Sequence, residues 1–361
     1  LKYRKNCPKF RIADSIPQTD TDTVLTKKRM TTQQIVLASR PQGTPTLANF
    51  RTENVELTEV KPGEVALKGL YYSVDPYMRG RMNETKSYVS SFHIDQPIIG
   101  GVVASVQESQ SDHFKTGDLV VGLLPWRKEF IASERSIQKI DATIVPASYY
   151  LGILGMPGLT AYFGLVRICK PKAGETVVVS GAAGAVGIVV GQIAKIMGCR
   201  VVGIAGSDEK TALLKEEFGF DEAINYKTAT DIRKAIAEVY PHGVDIYFDN
   251  VGGEISDAVI LNLNNHARIA LCGQISLYNN EKVAMGPRLQ SIFVSKSVMM
   301  QGFIVGNYQS DYPEAVQQLA GWIKEGKLKY TETIIHGFDQ LPMALLGLFK
   351  GENSGKMVIK A

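Results

Sequence analysis

The chain has 361 residues, 45% hydrophobic and 21% charged, which fits about two globular domains and excludes a largely disordered chain. No run approaches the roughly 18 to 20 uninterrupted apolar residues of a membrane-spanning helix. The formal charge of +4 is uneven: residues 1–29 carry eight basic and three acidic residues, and the rest carry 32 basic and 33 acidic. The basic balance therefore gives the body of the chain no polyanionic partner, neither nucleic acid nor membrane.

Residues 1–29 have no helical or strand period and no apolar h-region. They are expected to lie outside the fold, with Met30 read as the natural start. From Ile35 to about Pro146 the chain reads as short β segments broken by turns. Val65 to Leu70, Ile98 to Gln107 and Asp118 to Leu123 are strand runs, and "KPGE" at Lys61 and "KTGD" at Lys115 are turns. Closely spaced strands predict a small barrel-like domain. After Tyr150 strands and helices alternate. The expected strands are Val177 to Ser180, Arg200 to Ala205, Ile246 to Phe248, Ala267 to Leu271 and Val298 to Ile304. Helices are expected over Ala185 to Met197 and Asp208 to Phe218, the latter with Ser207 as N-cap and Gly219 as its stop. This alternation predicts an α/β fold with a doubly wound parallel sheet. An amphipathic helix is expected over Ala315 to Lys324, and a last strand, Met357 to Lys360, is expected to rejoin the first domain.

The sharpest local signal is Ser180-Gly181-Ala182-Ala183-Gly184-Ala185-Val186-Gly187, set between an apolar strand and a helix. Glycines there permit a tight turn and close approach of a pyrophosphate, which the helix N-terminus then receives. The spacing is GxxGxxG, so a plain glycine turn is the competing reading. The second strand ends Ala205-Gly206-Ser207 with no acid at its tip, followed by Lys210. That favours a ribose 2′-phosphate, hence NADP over NAD, although Asp208 and Glu209 could repel it. Between Met30 and Tyr150 there is no cysteine, and the histidines are His93 and His113. A Cys/His zinc site cannot be assembled there, so no metal is expected. Cys7, Cys169, Cys199 and Cys272 are far apart and without CxxC pairing, which suits a reducing, cytoplasmic setting. Without zinc, a substrate oxyanion needs a hydrogen-bond donor. Tyr278 is a candidate, although spacing alone would favour a packing role for one Tyr among 15.

With these residues in place the chain resembles the zinc-free medium-chain dehydrogenase/reductases. Within them it is similar to the group of prostaglandin and leukotriene reductases, alkenal double-bond reductases and curcumin reductases. The resemblance covers about Val36 to Ala361. It is carried by "LASRP" at Leu37, "DPYMRGRM" at Asp75, "LGMPGLTAY" at Leu154, "GAAGAVG" at Gly181 and "AGSDEK" at Ala205. It continues through "NYK" at Asn225, "DNVGG" at Asp249, "CGQISLYN" at Cys272, "QGFIV" at Gln301 and "GENSGK" at Gly351.

The resemblance implies a Rossmann-type sheet joined to a mainly β, GroES-like domain that the C-terminus completes. Expected boundaries are 30–152, 153–318 and 319–361. It implies NADP(H) held at Gly184, Ala185, Val186 and Gly187, with Lys210 and Tyr226 at the 2′-phosphate. Asn250, Cys272, Gly273, Gln274, Ile275, Ser276, Tyr278, Phe303, Ile304, Val305 and Asn353 would line the cofactor. Tyr278 would stand beside the substrate carbonyl, with Tyr77 and Arg79 near the substrate. The expected activity is NADPH-dependent reduction of a C=C bond conjugated to a carbonyl. Hydride would go to the β-carbon, with Tyr278 and the nicotinamide ribose hydroxyl holding the enolate oxygen. The alternatives are a quinone reductase with the same cofactor, or a non-catalytic NADPH-binding protein. The partner is a small enone, enal or quinone, and the family implies a homodimer.

Overall fold

The computed structural model describes residues 31–240 and 242–361, so the reading of residues 1–29 lies outside the described residues. The first half is β-rich. Its strands are β1 (Thr31–Leu37), β2 (Phe50–Glu56), β3 (Glu64–Ser73), β4 (Ile99–Ser109), β5 (Leu119–Pro125), β6 (Glu129–Ser133) and β7 (Ile137–Lys139), with one short helix, α1 (Met78–Arg81). Helix α2 (Met156–Tyr162) opens the second half and runs into a π-helical segment, Phe163–Cys169. Then β8 (Thr176–Ser180), α3 (Gly187–Ile196), β9 (Arg200–Ala205), α4 (Asp208–Glu216), β10 (Glu222–Asn225) and α5 (Ile232–Val239) alternate. The series continues with β11 (Val244–Asp249), α6 (Gly253–Ile260), β12 (Leu263–Leu271), α7 (Gln290–Lys296), β13 (Met299–Gly302) and α8 (Tyr312–Lys324). The chain closes with β14 (Glu332–His336), α9 (Leu341–Lys350) and β15 (Lys356–Lys360).

Six strands form one parallel sheet in the order β10-β9-β8-β11-β12-β13. Helices cover both of its faces, so β8, Thr-Val-Val-Val-Ser, is buried at every residue around three consecutive valines. The order reverses beside β8, which makes its carboxyl end the switch point where ligands gather in such sheets. Ala315 and Leu319 of α8, and Leu328 after it, are buried in the core of this unit.

The other sheet has the order β14-β15-β3-β4-β5-β7, with β6 paired to β3. Strand β15 lies between β14 and β3 and is buried from Lys356 to Ile359. Phe338, Leu341 and Leu345 join Leu37, Leu67 and Trp126 in one core. The last thirty residues therefore supply central parts of the N-terminal unit. Lys356 is 2% exposed, and its ammonium donates to Val74 O at 2.7 Å and to Asp75 Oδ1 at 3.1 Å. This buried pair ties the returning strand to the start of "DPYMRGRM".

Candidate active site

The cofactor residues singled out in the sequence, Asn353 apart, stand just beyond the carboxyl ends of the six parallel strands. Gly184 to Gly187 follow β8, Lys210 follows β9 and Tyr226 follows β10. Asn250 follows β11, Cys272 to Tyr278 follow β12, and Phe303 to Val305 follow β13. Two close approaches make glycine necessary there. A Cβ on Gly187 would come within 2.5 Å of Gly181 O and 2.7 Å of Ala182 Cα, so the loop can enter α3 this tightly only with hydrogen at that position. A Cβ on Gly273 would lie 2.9 Å from the Tyr278 hydroxyl, so that glycine lets the ring fold back over its own loop.

The C-terminal loop docks on the glycine turn. The Gly355 N–H donates to Ala183 O at 2.8 Å, and Asn353 Nδ2 donates to Gly355 O at 2.7 Å. Lys210 reaches the same loop, donating from Nζ to Gly351 O at 2.6 Å. Its ammonium is pushed below the ordinary lysine range, first by burial and then by the nearby charge of Lys227. The acids beside it are occupied locally. Asp208 accepts from Asn225 Nδ2 at 2.7 Å, and the Glu209 carboxylate is held low by its own backbone N–H and the Ser207 hydroxyl. Ser207 caps α4 by accepting from the Lys210 N–H. The Tyr226 ring lies against Gly206. Lys210, with Lys227 near it, therefore forms a cationic corner at the strand tip. The tight turn at Gly187 into α3, together with this corner, fits a dinucleotide bearing a 2′-phosphate.

The "DNVGG" turn ties the strand ends together. Asp249 is fully buried, and its Oδ1 accepts from Ser180 Oγ, Tyr247 OH and the Val251 and Gly252 N–H groups at 2.8–3.0 Å. Asn250 Nδ2 donates to Ser180 O at 2.8 Å, which joins β11 to β8. The Cys272 and Gly273 N–H groups donate to Asp249 O, and Ser276 donates through N and Oγ to Val251 O. The segment bearing Tyr278 is thus held from below by backbone bonds. Phe303 packs edge-on against Phe248, 6.3 Å between centroids.

The Tyr278 hydroxyl accepts from the Gln274 N–H at 3.3 Å, and among the described residues it donates to none. Burial raises its pKa, which the Gln274 bond partly offsets and Cys272 and Tyr88 reinforce. Cys272 is itself pushed up to about 12 by burial and by Asp249. Tyr77 is raised by burial and by Asp75, with Arg81 and Tyr88 also acting on it. Tyr88 adds to the upward shift of both Tyr77 and Tyr278. Sequence reasoning passed over Tyr88, since nothing in its neighbourhood, "NETKSYVSS", has a motif or a period. Arg79 is 3% exposed, and protein acceptors on three segments take up its guanidinium: Asn279 Oδ1, Asn83 Oδ1 and Gly43 O.

Among the described residues no group of three or more His, Cys, Asp or Glu is placed to hold a metal ion. Residues 33–140 match the family described as "N-terminal domain of oxidoreductase", and residues 185–321 match "Zinc-binding dehydrogenase". YfmJ of Bacillus subtilis is 60% identical over 330 residues, covering 91% of this chain and 97% of its own. A 2-alkenal reductase (NADP(+)-dependent) of Nicotiana tabacum is 45% identical over 337 residues, covering 92% and 98%. The crystal structure of CurA from Vibrio vulnificus in complex with NADPH superposes with a TM-score of 0.87 at 42% identity, covering 91% of this chain and 99% of that one. The chain belongs to the zinc-free medium-chain dehydrogenase/reductases, in the group that includes 2-alkenal reductase, prostaglandin reductase 1 and curcumin reductase.

Proposed function

We propose that the protein is an NADPH-dependent reductase of carbon–carbon double bonds conjugated to a carbonyl. The observation that carries this is the Tyr278 hydroxyl. It is half-buried at the carboxyl edge of the sheet, accepts one backbone N–H and has its own proton free to give. The names of the relatives, alkenal, prostaglandin and curcumin reductases, support the reaction class. Gly184 to Gly187 would receive the pyrophosphate of NADPH, Lys210 and Tyr226 the 2′-phosphate, and Asn250, residues 272–278, 303–305 and Asn353 the remainder. When bound, NADPH supplies the hydride that goes to the β-carbon of the enone or enal. The Tyr278 phenol donates to the carbonyl oxygen as negative charge gathers there, and its burial strengthens that bond. The α-carbon then takes a proton from solvent or from Tyr278. Tyr77 would face the substrate from the N-terminal unit.

The test is NADPH oxidation by the purified protein over a panel of enones, enals and quinones, with NADH in parallel. Turnover of enones with NADPH supports the proposal. Turnover of quinones alone would make it a quinone reductase, and NADPH binding without any turnover would make it a non-catalytic binder. Tyr278→Phe should lower kcat by about 10²-fold, the usual cost of one lost oxyanion donor, and unchanged turnover would remove Tyr278 from the mechanism.

The same reading includes a homodimer and a cytoplasmic setting. Strand β13 is the open edge of the parallel sheet and is exposed at all four residues, with Met299 and Met300 on it. Such an edge invites pairing with a second copy. The free thiols of Cys169, Cys199 and Cys272 suit a reducing compartment.

A further inference from the structure

We propose that Arg79 is a positioning residue that locks the Tyr278 loop of the dinucleotide-binding unit onto the N-terminal unit. It would set the placement of the phenol without touching the substrate. The proposal rests on the reading of Tyr278 given above.

The guanidinium is almost wholly buried and makes one hydrogen bond from each nitrogen. Nε donates to Asn279 Oδ1 at 3.0 Å, Nη1 to Asn83 Oδ1 at 2.7 Å and Nη2 to Gly43 O at 2.7 Å. Asn279 is the residue after Tyr278 and lies 200 positions from Arg79 in the chain. Gly43 belongs to the turn between β1 and β2. That turn already touches the same loop, because a Cβ on Gly43 would lie 3.0 Å from Glu281 Oε1 and 3.8 Å from Asn279 O. Three segments thus converge on one planar fork: the turn at Gly43, helix α1 with Asn83 after it, and the loop beyond Tyr278. The rigid donor geometry of arginine suits such a junction, and lysine cannot reproduce it.

All three acceptors are neutral oxygens, so no carboxylate offsets the buried charge through these bonds. Burying a cation on amide and carbonyl dipoles is costly. A simple structural tether could use neutral groups. A cation here holds its acceptors more firmly, since charge-assisted bonds are roughly twice as strong as neutral ones. Small displacements of a catalytic donor cost much in rate, so this tether should be read in kcat.

The experiment uses the full chain with NADPH and one good enone. Arg79→Lys, Asn279→Ala and Tyr278→Phe are made singly and in pairs. Each is measured for kcat, for KM of NADPH and of the enone, and for thermal stability. Arg79→Lys and Asn279→Ala should each lower kcat about tenfold with KM for NADPH within about twofold, and the pair should cost little more than either alone. In the Tyr278→Phe background neither should lower kcat further. Additive effects of Arg79→Lys and Asn279→Ala, or a kcat within about twofold of the parent in both, would overturn the proposal. If Arg79→Lys fails to fold, Asn279→Ala with and without Tyr278→Phe carries the same test. Tyr278→Phe with parental turnover, while the other two still fall together, would refute the Tyr278 reading and leave the clamp. A slow Tyr278→Phe with uncoupled Arg79 and Asn279 would do the reverse.

Discussion

At pH 7 the Tyr278 phenol is a donor, because burial raises its pKa above the ordinary value. A group with a raised pKa keeps its proton until the pH passes that value. Turnover should therefore show no loss from Tyr278 ionisation up to about pH 10, the unperturbed phenol value. A kcat–pH profile from pH 6 to 10.5 checks this, and a fall centred near pH 8 would contradict it. Cys272 follows the same sign. With its thiol pushed up to about 12, almost none is thiolate at neutral pH, and thiolate is the nucleophile that attacks an enal. Mass-spectrometric mapping after incubation with an enal at pH 7.5 should find Cys272 unmodified in the folded protein and modified after denaturation. Lys210 has the opposite sign: burial and Lys227 lower its pKa, and a bound phosphate would raise it again. Lys210→Ala should raise KM for NADPH by about 10- to 100-fold, the worth of one charge-assisted bond, and leave KM for NADH nearly unchanged.

Among the elements, β15 is the one on which the N-terminal unit depends. It is an interior strand between β14 and β3, and Met357, Val358 and Ile359 are buried in it. Lys356→Ala would leave the buried Asp75 carboxylate with no cation and with the Ser73 hydroxyl as its remaining side-chain partner among the described residues. Removing one partner of such a pair costs about 3–5 kcal/mol, or roughly 4–7 °C in Tm for a chain of this size. A melting curve followed by circular dichroism checks this, and a shift under about 3 °C would show that Asp75 is relieved another way. The helices and strands around the cofactor residues were legible in the sequence. Val177 to Val179 had no polar interruption, Ser207 stood at an N-cap position, and glycines sat between strand and helix. The π-helical segment Phe163–Cys169 was not legible, because its residues read as an ordinary apolar helical run. The short strands β10 and β14 were also not legible, since four or five residues carry too little period to stand out.

At the scale of the whole molecule, the two units meet where Arg79 reaches Asn279, where Lys210 reaches Gly351 and where Gly355 pairs with the glycine loop. If β13 pairs with a second copy, Met300→Lys should push the protein from dimer toward monomer, because charge on an edge strand opposes pairing. Sedimentation or light scattering at micromolar concentration checks this, and a parent protein already monomeric there would remove the dimer from the reading. The sequence by itself determined the alternating α/β half, the glycine cradle, the lysine after the second strand and the lack of a Cys/His ligand set before Tyr150. Each is a local matter of residue type and spacing, and local physics fixes it. Only the tertiary structure decided that Asp208 and Glu209 turn to Asn225 and Ser207 and leave the cationic corner to Lys210 and Lys227. It also decided that Arg79 is spent on Gly43, Asn83 and Asn279. Those outcomes depend on which distant segments meet, and a hydrogen bond across 200 residues leaves no period or motif in the chain that makes it.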